Sequence, residues 1–170
     1  MKGSAKALAY SALAAALGTI LLLIASALPS GKLVLVCIAS LGVVFVECLF
    51  GWKWALGCFA VTAVLSLLLL PTKALGIYYT VFFGYYPLFA MLTERIGSKA
   101  ARYVLRLALF NLVMTGLYFA ARSLLSLDSG PLADYPVLLL LGMNAAFLIY
   151  DRALAQGMLY FMRNIARRIR

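Results

Sequence analysis

Histidine is absent from the 170 residues, and only five side chains are acidic against fifteen Lys and Arg. Without histidine there is no histidine-ligated zinc or haem and no histidine general base. With so few carboxylates, no pair lies at catalytic spacing, and no Ser, Thr or Cys has an evident base beside it. The chain is therefore not expected to be an enzyme. Cys37, Cys48 and Cys58 lie in or beside apolar runs without metal-ligand spacing. They read as small buried thiols, and no metal centre or cofactor is expected. A GxxxxGK[ST] loop is also missing, so nothing here would cradle a nucleotide phosphate.

What the chain has instead is apolar length. Of its residues 66% are hydrophobic and 12% charged, where soluble domains sit near ~45–50% and ~25%. The class is an all-α polytopic membrane protein, a single transmembrane domain over residues 1–170. Spans are expected at about 5–28, 33–50, 54–70, 74–92, 103–124 and 136–160, each near the ~20 residues that cross the hydrocarbon. The first is not read as a cleaved signal, because no small-residue cleavage site follows it near Pro29. A basic cytoplasmic tail, 161–170, is drawn to anionic lipid.

The net charge of +10 does not point to nucleic acid, since no aromatic–basic recognition segment is present. It reports topology. With both N and C termini cytoplasmic, only Lys32, Lys73 and Arg122 of the fifteen basic residues fall outside, as the positive-inside rule requires. The expected architecture is a six-transmembrane-helix bundle, multi-pass in the plasma (cytoplasmic) membrane of a bacterial cell.

Several features rise above greasy filling. The first span carries small residues four apart, Ala5/Ala9, Ser11/Ala15 and Ala12/Ala16, which make flat ridges for close helix approach within the chain or with a partner. Glu47 is an intramembrane carboxylate and so a functional candidate; near its span's end it has the plainer option of reaching water or Lys53. Trp52 and Trp54 read as interfacial anchors. The stretch Gly76–Gly97 holds Tyr78–Tyr79, Tyr85–Tyr86, Gly84 and Pro87. Pro87 is expected to kink the fourth helix and free the Phe83 carbonyl. Further along, the adjacent Asp151 and Arg152 are expected to find different partners.

The outer half of such a bundle collects Lys73, Tyr78, Tyr79, Tyr118, Arg122 and Asn144, with Asp128, Asp134 and Tyr135 from the last loop. Aromatics with a few directional polar groups make a small-molecule pocket, Arg122 being suited to a carboxylate or phosphate. The plain alternative is a polar rim on a membrane bundle.

In size, span count and termini the chain resembles the substrate-binding S components of energy-coupling factor (ECF) vitamin transporters. Ala12-Leu13-Ala14-Ala15-Ala16 looks like the AxxxA motif that docks the transmembrane coupling subunit. Phe50-Gly51…Gly57 is similar to the FGP…G stretch after the second span, with Trp52 where proline is usual. The resemblance implies capture of a vitamin-like small molecule from the outer side. It also implies Ala12 and Ala16 at the contact, with Ala5 and Ala9 on the same helix, and a separate coupling subunit and ATPases as partners besides membrane lipid. Two other readings stay open. One is a structural or assembly membrane protein that forms oligomers or scaffolds a complex without a small ligand. The other is a small membrane enzyme or lipid-handling protein using Glu47, Glu94 or Asp151, against which the missing histidine counts.

Overall fold

A computed structural model describes residues 2–125, 136–161 and 163, with side chains left aside at 2–3 and across 118–140. Among the described residues every regular element is helical. These are α1 (Lys2–Ala27), α2 (Lys32–Phe50), α3 (Trp52–Leu69), α4 (Lys73–Tyr78), a π-helical turn (Tyr79–Phe83), α5 (Tyr86–Thr93), α6 (Lys99–Leu125) and α7 (Pro136–Tyr160). Five described helical segments are long and apolar enough to cross a membrane: Ser4–Ala27, Lys32–Phe50, Trp52–Leu69, Lys73–Thr93 and Lys99–Leu117.

The turns follow from local chemistry. α1 stops before Pro29-Ser30-Gly31. α2 and α3 are joined by Gly51 alone, whose φ of +89° is a conformation that side chains with a Cβ rarely adopt. The third helix therefore begins at Trp52, two residues earlier than the sequence indicates. Trp52 is exposed there, while Trp54 packs against a buried cluster of α1, α2 and α3 residues.

The chain divides into two compact units, Met1–Leu92 with Leu154–Arg170, and Thr93–Ala153. In the first, α1, α2 and α3 pack on one another through small residues. A Cβ added at Gly42 would meet the Ala14 carbonyl at 3.4 Å, and one at Gly18 would meet Thr62 at 3.4 Å. Backbones approach this closely only where side chains are small, as in membrane helix pairs. The buried hydroxyls of Thr19, Thr62 and Ser66 donate to carbonyls of their own helices, Ala15, Cys58 and Ala63. That is how a polar group is kept satisfied away from water. Many large apolar side chains face outward, Leu8, Leu68 and Val104 among them, the pattern of a protein solvated by lipid.

The fourth apolar segment is not one kinked helix. Its backbone widens at Tyr79–Phe83, where the Gly84 N–H donates to the Tyr79 carbonyl at 2.7 Å, five residues back. A turn at Gly84–Tyr85 follows before α5 begins. Pro87 lies in the first turn of α5, where a missing N–H costs nothing. The break is therefore a π turn and restart, and the expected proline kink is corrected to that.

Candidate functional site

Within the first unit the broken segment carries the most unusual backbone. Tyr79 is fully buried against Phe59, ring centroids 6.3 Å apart, and its hydroxyl is held by Thr62. Tyr78, one residue earlier, is exposed. Lys73 is exposed too, its Nζ donating to the Leu67 and Leu68 carbonyls at 2.8 and 3.1 Å. It thereby caps the last turn of α3, whose carbonyls have no helical partner. Lys73, Tyr78 and Tyr79 thus point to three different tasks. The Thr80 hydroxyl, inside the π turn, is buried without a hydrogen-bond partner among the described residues. A threonine in a regular helix bonds the carbonyl a turn back, and π geometry displaces that carbonyl.

Glu47 departs from the expected pairing with Lys53. It is 8% exposed, its Oε2 has no hydrogen-bond partner among the described residues, and Lys53 is exposed. Among the described residues the carboxylate makes no ion pair with that lysine. The reason is directional. Helical side chains lean toward the N-terminus, so Glu47 points back along α2, away from the nearby end at Phe50.

On α1, Ala5, Ala9, Ala12 and Ala16 are all exposed, whereas Ala7, Ser11, Ala14, Ala15 and Gly18 face inward. The ridges predicted from spacing therefore split: Ser11/Ala15 is used inside the chain, and the other two form an open row on the outside.

The second unit is organised by Arg106, only 5% exposed. Its Nε donates to the Thr93 hydroxyl at 2.8 Å and one terminal nitrogen donates to Asp151 Oδ1 at 3.1 Å. The other terminal nitrogen donates to Glu94 Oε1 at 2.7 Å. Arg106 sits near the start of α6 and leans toward that start, where Thr93 and Glu94 wait. Arg102 adds a second ion pair to Glu94. Asp151 and Arg152 do separate, as neighbours 100° apart on a helix must: Asp151 meets Arg106, and Arg152 lies 5.5 Å above the Tyr103 ring. These residues were individually visible in the sequence. Their convergence was not, because it depends on the register of α6 against α7.

That antiparallel register continues upward. Phe110 stacks on Phe147 with centroids 4.5 Å apart, and the amides of Asn111 and Asn144 exchange hydrogen bonds at 2.9 and 3.1 Å. Asn144, placed by the sequence among ligand contacts, has its amide engaged here. The side chains of Tyr118 and Arg122, and all of Asp128, Asp134 and Tyr135, lie outside the described residues. Replacing Asn111 with leucine should destabilise the protein by about 1 kcal/mol, typical of interhelical amide pairs in membranes. Replacing both asparagines with leucine should cost less than either single change, because no amide is then left half-satisfied. Equilibrium unfolding in mixed detergent–SDS micelles would check the order.

No protein-family model matches this sequence, and no curated protein or solved structure matches it either.

Proposed function

We propose that this protein is the small-molecule-binding subunit of a multi-component membrane transporter. It has six spans, α7 being the sixth, and both termini are cytoplasmic in a bacterial plasma membrane. The observation that carries the reading is the break at Tyr79–Tyr85 with the open Thr80 hydroxyl inside it. A helix that only anchors has no need to unwind midway, whereas π turns and interrupted spans recur where membrane proteins bind ligands. The ligand is vitamin-like in size and enters from the outer side. The exposed row Ala5, Ala9, Ala12 and Ala16 serves as the face for a transmembrane coupling subunit driven by ATPases, as in S components of energy-coupling factor transporters.

Native mass spectrometry of the gently purified protein is the direct test. The expected spectrum is a monomer retaining a vitamin-sized adduct. Thr80→Val, which removes the hydroxyl and keeps the shape, should weaken retention about tenfold, the value of one lost hydrogen bond. Ala12→Leu should abolish co-purification of the coupling subunit and leave the adduct in place. The same outward alanine row supports a second reading, self-association. A clean oligomer carrying only lipid, dispersed by Ala12→Leu, would move the assignment to an assembly protein.

A further inference from the structure

The described carboxylates of the second unit are committed to two arginines, and the other cations there are left without one. Glu94 meets Arg102 and Arg106, and Asp151 meets Arg106. Arg95, Lys99 and Arg152 are exposed and form no ion pair among the described residues. Two of these three converge on one ring. Tyr103 stands one turn after Lys99 on the same face of α6, and a helical side chain leans back over the turn that precedes it. Its ring therefore lies toward Lys99. The Arg152 guanidinium reaches across from α7 and sits 5.5 Å from the centroid of that ring. A guanidinium over an aromatic face still has N–H donors at its edge for a further acceptor.

The apolar segment of α6 begins at Lys99, so this group lies at the boundary of the hydrocarbon. Tyr103, 40% exposed, suits that depth. From Arg152 an exposed stripe runs back along α7 through Leu148, Ala145 and Leu141, four, seven and eleven residues away. Those spacings keep to one face of a helix. Eleven residues rise about 16 Å, half of the ~30 Å hydrocarbon thickness and so the depth of one leaflet. We propose that Arg152 and Lys99 hold the phosphate of an anionic phospholipid over Tyr103, with an acyl chain along the α7 stripe. The arginine fork matches two phosphate oxygens, and the lysine adds a point charge. A zwitterionic headgroup brings its own ammonium against these two cations, which selects for a lipid whose charge is the phosphate alone. Free phosphate would answer the cations and leave the stripe uncovered. The site is independent of the small-molecule reading.

The experiment is native mass spectrometry of the full-length protein depleted of lipid, titrated with phosphatidylglycerol and separately with phosphatidylcholine of the same acyl chains. One phosphatidylglycerol should bind, about tenfold more tightly than phosphatidylcholine. Arg152→Gln and Lys99→Gln should each weaken that adduct about fivefold, the worth of one basic residue near an anionic surface. Lys53→Gln removes an exposed lysine of the first unit and should leave the adduct unchanged. A phospholipid and a vitamin-sized molecule differ in mass, so this proposal and the small-molecule reading fail separately. Equal binding of the two lipids would overturn the site, as would full affinity in the Arg152→Gln and Lys99→Gln double variant. Displacement of the lipid by millimolar inorganic phosphate would also overturn it, because the cations would then be taking a free anion and not a lipid.

Discussion

Asp151→Ala is expected to destabilise the protein by about 3–5 kcal/mol, the cost of breaking a buried ion pair by removing one partner. Asp151 is 2% exposed, and its loss removes the buried carboxylate that faces the buried Arg106 guanidinium. Glu94 does not substitute for it. Its side chain is half exposed, so its charge is screened, and Glu94→Gln should cost no more than about 1 kcal/mol. The difference between these two carboxylates is therefore burial and not distance. Arg106→Met combined with Asp151→Leu should recover most of what either single change loses, because no charge is then stranded. Reversible unfolding of these variants in mixed detergent–SDS micelles checks the ranking. An Asp151→Ala variant as stable as Glu94→Gln would show that the clamp does not hold the second unit together.

How much of this was legible beforehand depends on how local the cause is. The stops before Pro29 and before Pro71 come from residues that cannot continue a helix, and the helices end at Ala27 and Leu69 accordingly. The split fates of Asp151 and Arg152 also follow from helical geometry alone. The π turn could not be read this way. Pro87 was the visible breaker, yet the widening occurs upstream, where Tyr79 and Gly84 pack against Phe59, a residue of α3. Arg106 and Asp151 stand 45 positions apart, so nothing local announces the pair. Glu47 misled for a subtler reason. Its closeness to the end of α2 argued for water or Lys53, but the lean of its side chain carries the carboxylate back along α2, away from that lysine. Of the proposed ligand residues, Tyr79 and Asn144 were chosen for chemistry, and the structure engages that chemistry with Thr62 and Asn111.

Gly84→Ala is the second large effect, because it loads the π turn directly. The backbone of Gly84 is ordinary, φ −73° and ψ −41°, so conformation alone would admit alanine and even gain up to about 1 kcal/mol of helix propensity. Space decides the other way. The added Cβ would fall 2.5 Å from Phe59 Cδ2 and 2.8 Å from Tyr79 Cε1, well inside contact distance. Neither ring yields easily: Tyr79 is fully buried with its hydroxyl on Thr62, and Phe59 is wedged between Tyr79 and the edge of Tyr85. Overpacking of this kind costs about 1–3 kcal/mol, and the turn that holds Thr80 should distort with it. Gly57→Ala is the matched control in α3, since a Cβ there meets nothing within 4 Å, and it should be neutral or slightly stabilising. Phe59→Leu, by vacating the ring, should restore much of the stability lost in Gly84→Ala. Thermal unfolding ranks the three, and native mass spectrometry reads the ligand in parallel. If Gly84→Ala matches Gly57→Ala in stability, the ring packing at the break is wrong. If Gly84→Ala is destabilised yet keeps its adduct in full, the π turn is structural and the ligand binds elsewhere.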